Sequence, residues 1–269
     1  MTGPGGKRRR WVVAMVAAWI LGLTGLSWWS IRNDPATVPE QRDLGQAVPA
    51  LRKATGTLLA AADGPWAIRL DALRTEKCRL TPVRDGLDAK RDLVLYVGEG
   101  QTRAALDRVA GGLPDGFKAG VTPSRAGSRL SFFADAGDFI AIEGEAGAAD
   151  QILTLTLDTG CRPGPATLGA DPAAGAAPAV FGKTVAALGG TAGAPASVQA
   201  AACPEGGTAV TLAGAGGASG DRPRGIPEGT TPLWSGPDGW AYRDGAASVV
   251  VDATGQNLTV SVTTGCGGQ

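Results

Sequence analysis

QILTLTLDTGC, residues 151–161, and QNLTVSVTTGC, residues 256–266, decide the fold, because the second restates the first at six of eleven positions, Gln, Leu, Thr, Thr, Gly and Cys. In the first segment Leu153, Leu155 and Leu157 alternate with Thr154 and Thr156, the period-2 pattern of a strand with one buried and one wet face. Upstream of each segment the same landmarks recur in the same order. Cys78 answers to Cys203, and Gly112-Leu-Pro-Asp-Gly116 answers to Gly225-Ile-Pro-Glu-Gly229. The Cys-to-motif spacing is 34 residues in the first copy and 22 in the second, and the motif-to-Cys spacing is 49 and 41. This pattern predicts a diverged internal duplication whose second copy has lost a helix and a hairpin extension.

Between the copies, residues 162–180 (RPGPATLGADPAAGAAPAV) replace any apolar period with Pro, Gly and Ala and are expected to form a linker. The first copy reads as a strand over Leu93–Val97, a helix from Thr102 to Ala110 stopped by Gly111-Gly112, and strands over Arg129–Phe133 and Phe139–Ile142. Four cysteines allow three pairings. If the modules are copies, each closes its own loop, giving Cys78–Cys161 and Cys203–Cys266. Zinc or thiol redox chemistry is disfavoured, since the chain has no C-x-x-C and no short ligand spacing.

Ahead of both modules, residues 11–31 (WVVAMVAAWILGLTGLSWWSI) carry no charge, and as a helix rising about 1.5 Å per residue they reach across a bilayer core of about 30 Å. Trp11 opens the stretch and Trp28 with Trp29 closes it, as an aromatic belt requires. Lys7, Arg8, Arg9 and Arg10 precede it, whereas Asp34, Glu40 and Asp43 follow, so the positive-inside rule places the N-terminus in the cytoplasm. A cleaved signal peptide is the competing reading. The long apolar run and the bulky Trp28-Trp29 exit favour a retained anchor. Beyond it, Thr37-Val-Pro-Glu40 reads as a capping box, and Leu51, Ala54, Leu58, Leu59 and Ala62 recur at helical spacing until Gly64-Pro65.

The expected class is therefore α+β: a transmembrane helix, then two related small modules of helix and antiparallel strands, each with one disulfide. The expected organisation is a cytoplasmic tail over 1–10, a transmembrane helix over 11–31, a helical stalk over 32–64, a first extracytoplasmic module over 65–161, the linker, and a second module over 181–269.

Composition then excludes chemistry. The chain has no histidine, which removes Ser-His-Asp and Cys-His catalysis, His-ligated zinc and an imidazole switch. No serine has a lysine three residues on, so a penicillin-binding type dyad is absent. Taking the four N-terminal cations from the 25 basic residues leaves 21 against 25 acidic, and nucleic acid is not an expected partner. Gly182-Lys183-Thr184 resembles the end of a phosphate-binding loop, but Ala177 stands where its first glycine belongs; no nucleotide and no cofactor is expected. Asp135, Asp138, Glu143, Glu145 and Asp150 fit no calcium-loop spacing and read as a solvated sheet edge. Trp234, Trp240 and Tyr242 are the candidate binding surface for sugar or peptide, with core packing as the favoured alternative.

The KRRRWVVAMVAAWILGLTGLSWW run, the IRNDPATVPEQRD exit and the Ala- and Gly-rich remainder with paired cysteines resemble uncharacterised single-pass envelope proteins of high-GC Gram-positive, actinobacterial type. That resemblance implies location and no activity. By elimination the leading expectation is a non-catalytic envelope protein that binds or positions an envelope protein or glycan. An extracytoplasmic hydrolase working through Asp and Glu, and a sensor acting through a membrane partner, are the alternatives.

Overall fold

The computed structural model describes residues 5–33, 43–164, 168–191, 193–220 and 223–267. Helix α1, Gly5–Asn33, contains a segment, Arg9–Ser30, long and apolar enough to cross a membrane, and none of its apolar window is buried inside the fold. The Thr37–Glu40 box lies outside the described residues. Helix α2, Leu44–Ala61, is capped by Asp43, whose carboxylate accepts the Gln46 amide at 2.9 Å and satisfies one of the free amides of the first turn. Leu44, Val48, Leu51, Leu58 and Leu59 lie on one stripe and are all at most 2% exposed.

Two antiparallel sheets follow. The first comprises β1 (Ala67–Leu70), β2 (Arg74–Thr81), β3 (Arg84–Tyr96), β4 (Gly120–Pro123), β5 (Arg129–Asp135), β6 (Ala141–Gly147) and β7 (Ile152–Asp158), with α3 (Thr102–Gly112) between β3 and β4. Helix α4 (Ala179–Ala187) leads into the second: β8 (Ser197–Ala202), β9 (Thr208–Ala218), β10 (Trp234–Gly236), β11 (Gly239–Asp244), β12 (Ala247–Asp252) and β13 (Asn257–Thr264). Along hydrogen-bonded neighbours the first sheet runs β2-β3-β7-β6-β5-β4, with β1 also beside β3, and the second runs β8-β9-β13-β12-β11-β10. Strand for strand the two orders match. The short strands β4 and β10 each follow a Gly-x-Pro-x-Gly motif, and α3 has no counterpart among the described residues of the second sheet. Disulfides join Cys78 to Cys161 and Cys203 to Cys266.

Strand β6 begins two residues later than its apolar pattern predicts. Asp138 and Phe139 have left-handed φ of 51° and 57°, and their carbonyls accept the Arg162 guanidinium at 2.7 and 3.2 Å. A strand cannot start until that turn is complete.

The layers stack on β1 and β3. Ile68, Leu70, Leu93 and Leu95 face α2, while Ala67, Val94 and Tyr96 on the opposite face meet Ala241 and Val250 of the second sheet. Phe181 and Val185 of α4, with Leu188 at its C-terminal cap, close the far side of that sheet. β13 therefore differs from β7: Leu258, Val260 and Val262 are buried, and so are Ser261 and Thr263 on its other face. Helix α2 also reaches the second sheet, since Ala201, Cys203 and Ala209 belong to its core cluster. Gly56 permits that contact, because a Cβ there would overlap the Ala202 carbonyl oxygen.

The segment expected as a linker is anchored. Arg91 of β3 is wholly buried and donates to Asp171 at 2.7 and 3.3 Å, to the Asp71 carbonyl at 3.0 Å and to the Ala200 carbonyl at 3.3 Å. Asp171 also accepts Arg52 at 3.3 Å and the Ala200 amide at 3.2 Å. Strand β8 has β9 on one side only, so this Arg-Asp pair occupies its open edge where another strand would bond.

Candidate functional site

Strand alternation gives the second sheet one apolar face toward α4 and one hydroxyl-rich face toward β1. Val210, Leu212, Val260 and Val262 point to α4; Gln199, Thr211, Thr259 and Ser261 line the other side. The four residues of β1 cover only part of that face. What remains is a groove of about 320 Å³ between the sheets, walled by Arg69 and Asp71 on one side and by Gln199, Asp252 and Ser261 on the other.

The walls are held rigidly. Leu70 donates its amide to the Thr211 hydroxyl at 3.1 Å, and Thr211 in turn bonds the Thr263 hydroxyl at 2.8 Å. Arg69 grips Asp71 with two hydrogen bonds, at 2.8 and 3.3 Å, and lies 5.9 Å over the Tyr96 ring. Tyr96 packs against Trp234 with ring centroids 5.4 Å apart. Burial alone would lower the Arg69 pKa, but the Asp71 bond and the charges of Tyr96, Asp71 and Asp252 outweigh it, and the guanidinium stays charged. Burial raises the Tyr96 phenol above its ordinary value, against the pull of Arg69.

Other groups are left for a ligand. One Asp252 oxygen accepts the Thr254 amide at 2.8 Å and its hydroxyl at 2.6 Å, and the second has no hydrogen-bond partner among the described residues. The Gln199 amide and the Ser261 hydroxyl are likewise unpartnered there, although Ser261 is only 8% exposed. The arrangement offers donors and acceptors on a rigid frame.

The residues singled out from sequence fall elsewhere. Trp240 and Tyr242, at 2% and 1% exposure, sit in the core under α4 and present no binding surface, because both alternate onto the apolar face of β11. Tyr242 donates its hydroxyl to the Gly225 carbonyl at 3.1 Å, tying the second Gly-x-Pro motif to the sheet, and burial raises its pKa. Trp234 is half-buried against Tyr96 and is the one of the three beside the groove wall. The acidic stretch is dispersed: Glu145 pairs with Arg129 at 2.6 Å, while Asp135 and Asp150 cap the turns at Gly137 and Gly147. Among the described residues no group of three or more His, Cys, Asp or Glu is placed to hold a metal. Gly182-Lys183-Thr184 lies inside α4, with Thr184 buried. Sequence reasoning missed Arg69, Asp71, Gln199, Asp252 and Ser261. The signal for Ser261 was the Thr-x-Ser-x-Thr hydroxyl row of residues 259–263, on a strand whose alternate residues are Val.

No protein-family model and no curated protein matches the chain. Among solved structures it is similar to a DUF4853 family protein from Actinomyces odontolyticus, with 13% sequence identity and a TM-score of 0.36 over 66% of this chain and 97% of that chain.

Proposed function

We propose that this is a single-pass membrane protein, its N-terminus cytoplasmic and its body outside, that acts as a non-catalytic binding or assembly module of the cell envelope. The observation that carries the proposal is an apolar helix with nothing in the fold to cover it, leading into a body closed by two disulfides. An uncovered stretch of this kind is stable in a bilayer. The disulfides fit an oxidising compartment. The matching strand orders support an internal duplication, and the groove between the two copies is the binding site in this reading.

Mass mapping of protein isolated from membranes without reductant tests the placement. Peptides covering residues 11–31 and crosslinked peptides Cys78–Cys161 and Cys203–Cys266 are expected. A mature N-terminus beyond Ser30, or free thiols, would overturn it.

One observation favours a second reading, a carboxylate-dependent hydrolase: Asp71 and Asp252 line the same groove. It ranks lower because Arg69 occupies both oxygens of Asp71, whereas a general acid stands in an apolar site with its proton free to donate. In that case Asp71→Asn would abolish turnover of a glycoside while leaving its binding intact.

A further inference from the structure

We infer that the groove between the sheets takes a neutral carbohydrate, an inference that rests on the groove being the module's binding site. Ser261 is only 8% exposed as a residue, and it lines the groove. Its hydroxyl opens there unpaired, together with the Gln199 amide and one Asp252 oxygen. These groups include donors and acceptors, and a ring hydroxyl is both. Gln199 ends in a planar amide with a donor and an acceptor side by side, suited to the adjacent hydroxyls of a sugar, and the free Asp252 oxygen adds a single acceptor.

Charge excludes an anion. The groove holds one guanidinium and two carboxylates, and that guanidinium is already engaged in the fork with Asp71, so no cation is left for a phosphate or a carboxylate ligand. Ala213 adds a small apolar surface for the CH face of a sugar ring. Arg69 is fixed between Asp71 and Tyr96 and loses little freedom on binding. The volume of about 320 Å³ lies at the small end of ligand pockets and suits a short oligosaccharide segment.

The test is a calorimetric titration of the full chain in lipid nanodiscs with maltohexaose, cellohexaose and chitohexaose, alongside inorganic phosphate and a neutral alternating Ala/Thr hexapeptide. At least one oligosaccharide is expected to bind saturably, and Gln199→Ala and Ser261→Ala are each expected to weaken it about fivefold, the loss of one hydrogen bond of about 1 kcal/mol. Glu143→Ala, on the exposed face of β6, is the control that leaves binding unchanged. Thermal melts of each variant confirm folding, and Gln199, only partly buried, is the safer substitution. Saturable sugar binding that ignores both Gln199→Ala and Ser261→Ala sinks the inference. Binding of phosphate or the hexapeptide alone, weakened by Gln199→Ala, removes the carbohydrate but keeps the groove as the binding site. Silence from all five probes removes both.

Discussion

Replacing Asp171 by Ala strips a wholly buried guanidinium of its carboxylate. Arg91 has a side-chain exposure of 0% and Asp171 of 19%. Removing one partner of a buried pair costs about 3–5 kcal/mol, because the remaining charge is left without compensation. The partial exposure of Asp171 puts the expected loss at the lower end, about 3 kcal/mol. At about 2–4 °C per kcal/mol for a body of this size, the melting temperature should fall by roughly 6–12 °C. The assay is a near-UV circular dichroism melt of the full chain in detergent, with disulfides intact. Arg91→Met supplies the internal check: in the double variant no guanidinium remains to be compensated, so it should melt above Asp171→Ala alone. A single variant within 2 °C of the parent, or a double variant whose losses simply add, refutes the buried-charge account.

The same pair gives a pH dependence. Burial by itself would raise the Asp171 pKa, but the bond and charge of Arg91, with the Ala200 amide and Arg52, hold it below the ordinary carboxylate value. A depressed folded pKa contributes stability above the unfolded value of about 3.9 that is lost as pH falls through the folded one. The gap in melting temperature between parent and Asp171→Asn should therefore be full at pH 7 and shrink below about pH 4; a gap that stays constant down to pH 2 contradicts this. Gly56→Ala should destabilise by roughly 1–3 kcal/mol, since the new methyl meets a backbone carbonyl that cannot swing aside, and a parent-like denaturant midpoint would dispose of the close helix-to-sheet contact. Removing Cys203–Cys266 by double Ala substitution should cost roughly 4 kcal/mol in the chain-entropy model, read from urea unfolding under oxidising conditions. Arg129→Ala, by contrast, breaks an ion pair exposed on both sides and should shift the melt by under about 1 °C; a larger drop would mean that the pair is not merely a solvated contact.

The legible parts of the fold were those written in apolar periodicity. Leu153, Leu155 and Leu157 announce β7, Leu51 and Leu58 announce the buried stripe of α2, and the repeat around Cys161 and Cys266 selects the disulfide pairing. The β2–β3 hairpin was missed up to Leu93 because charged residues, not apolar ones, fill much of it, and ion pairs such as Lys90–Glu76 and Arg74–Asp92 hold its surface. Arg91 and Asp171 were invisible for a related reason. A buried charge is recognisable only through its partner, and here the partner stands 80 residues away in a Pro- and Gly-rich segment. β8 and β9 are rich in Ala and Gly, small side chains that signal no strand but let helices approach closely. The groove draws one or two residues at a time from β1, β8, β9, β12 and β13, strands far apart in sequence, so no local motif marks it. Trp240 and Tyr242 show the converse: conspicuous residues whose place on the strand, not their chemistry, sends them inward.

The sharing of one core cluster by α2 and by Cys203, Ala209 and Cys266 bears on biogenesis. In the orientation proposed, the N-terminus stays in the cytoplasm and the chain beyond the anchor is exported in the order of its synthesis. The oily stripe of α2 then emerges long before β13 is synthesised. At about 5–20 residues per second, it waits roughly ten seconds or more for its last neighbours. During that interval a secretion chaperone has a ready substrate, and a ribosome that stalls before residue 203 releases a product with α2 half-clothed. Envelope proteases would find such fragments easily. The order of the chain thus makes full-length export a condition for surviving surveillance.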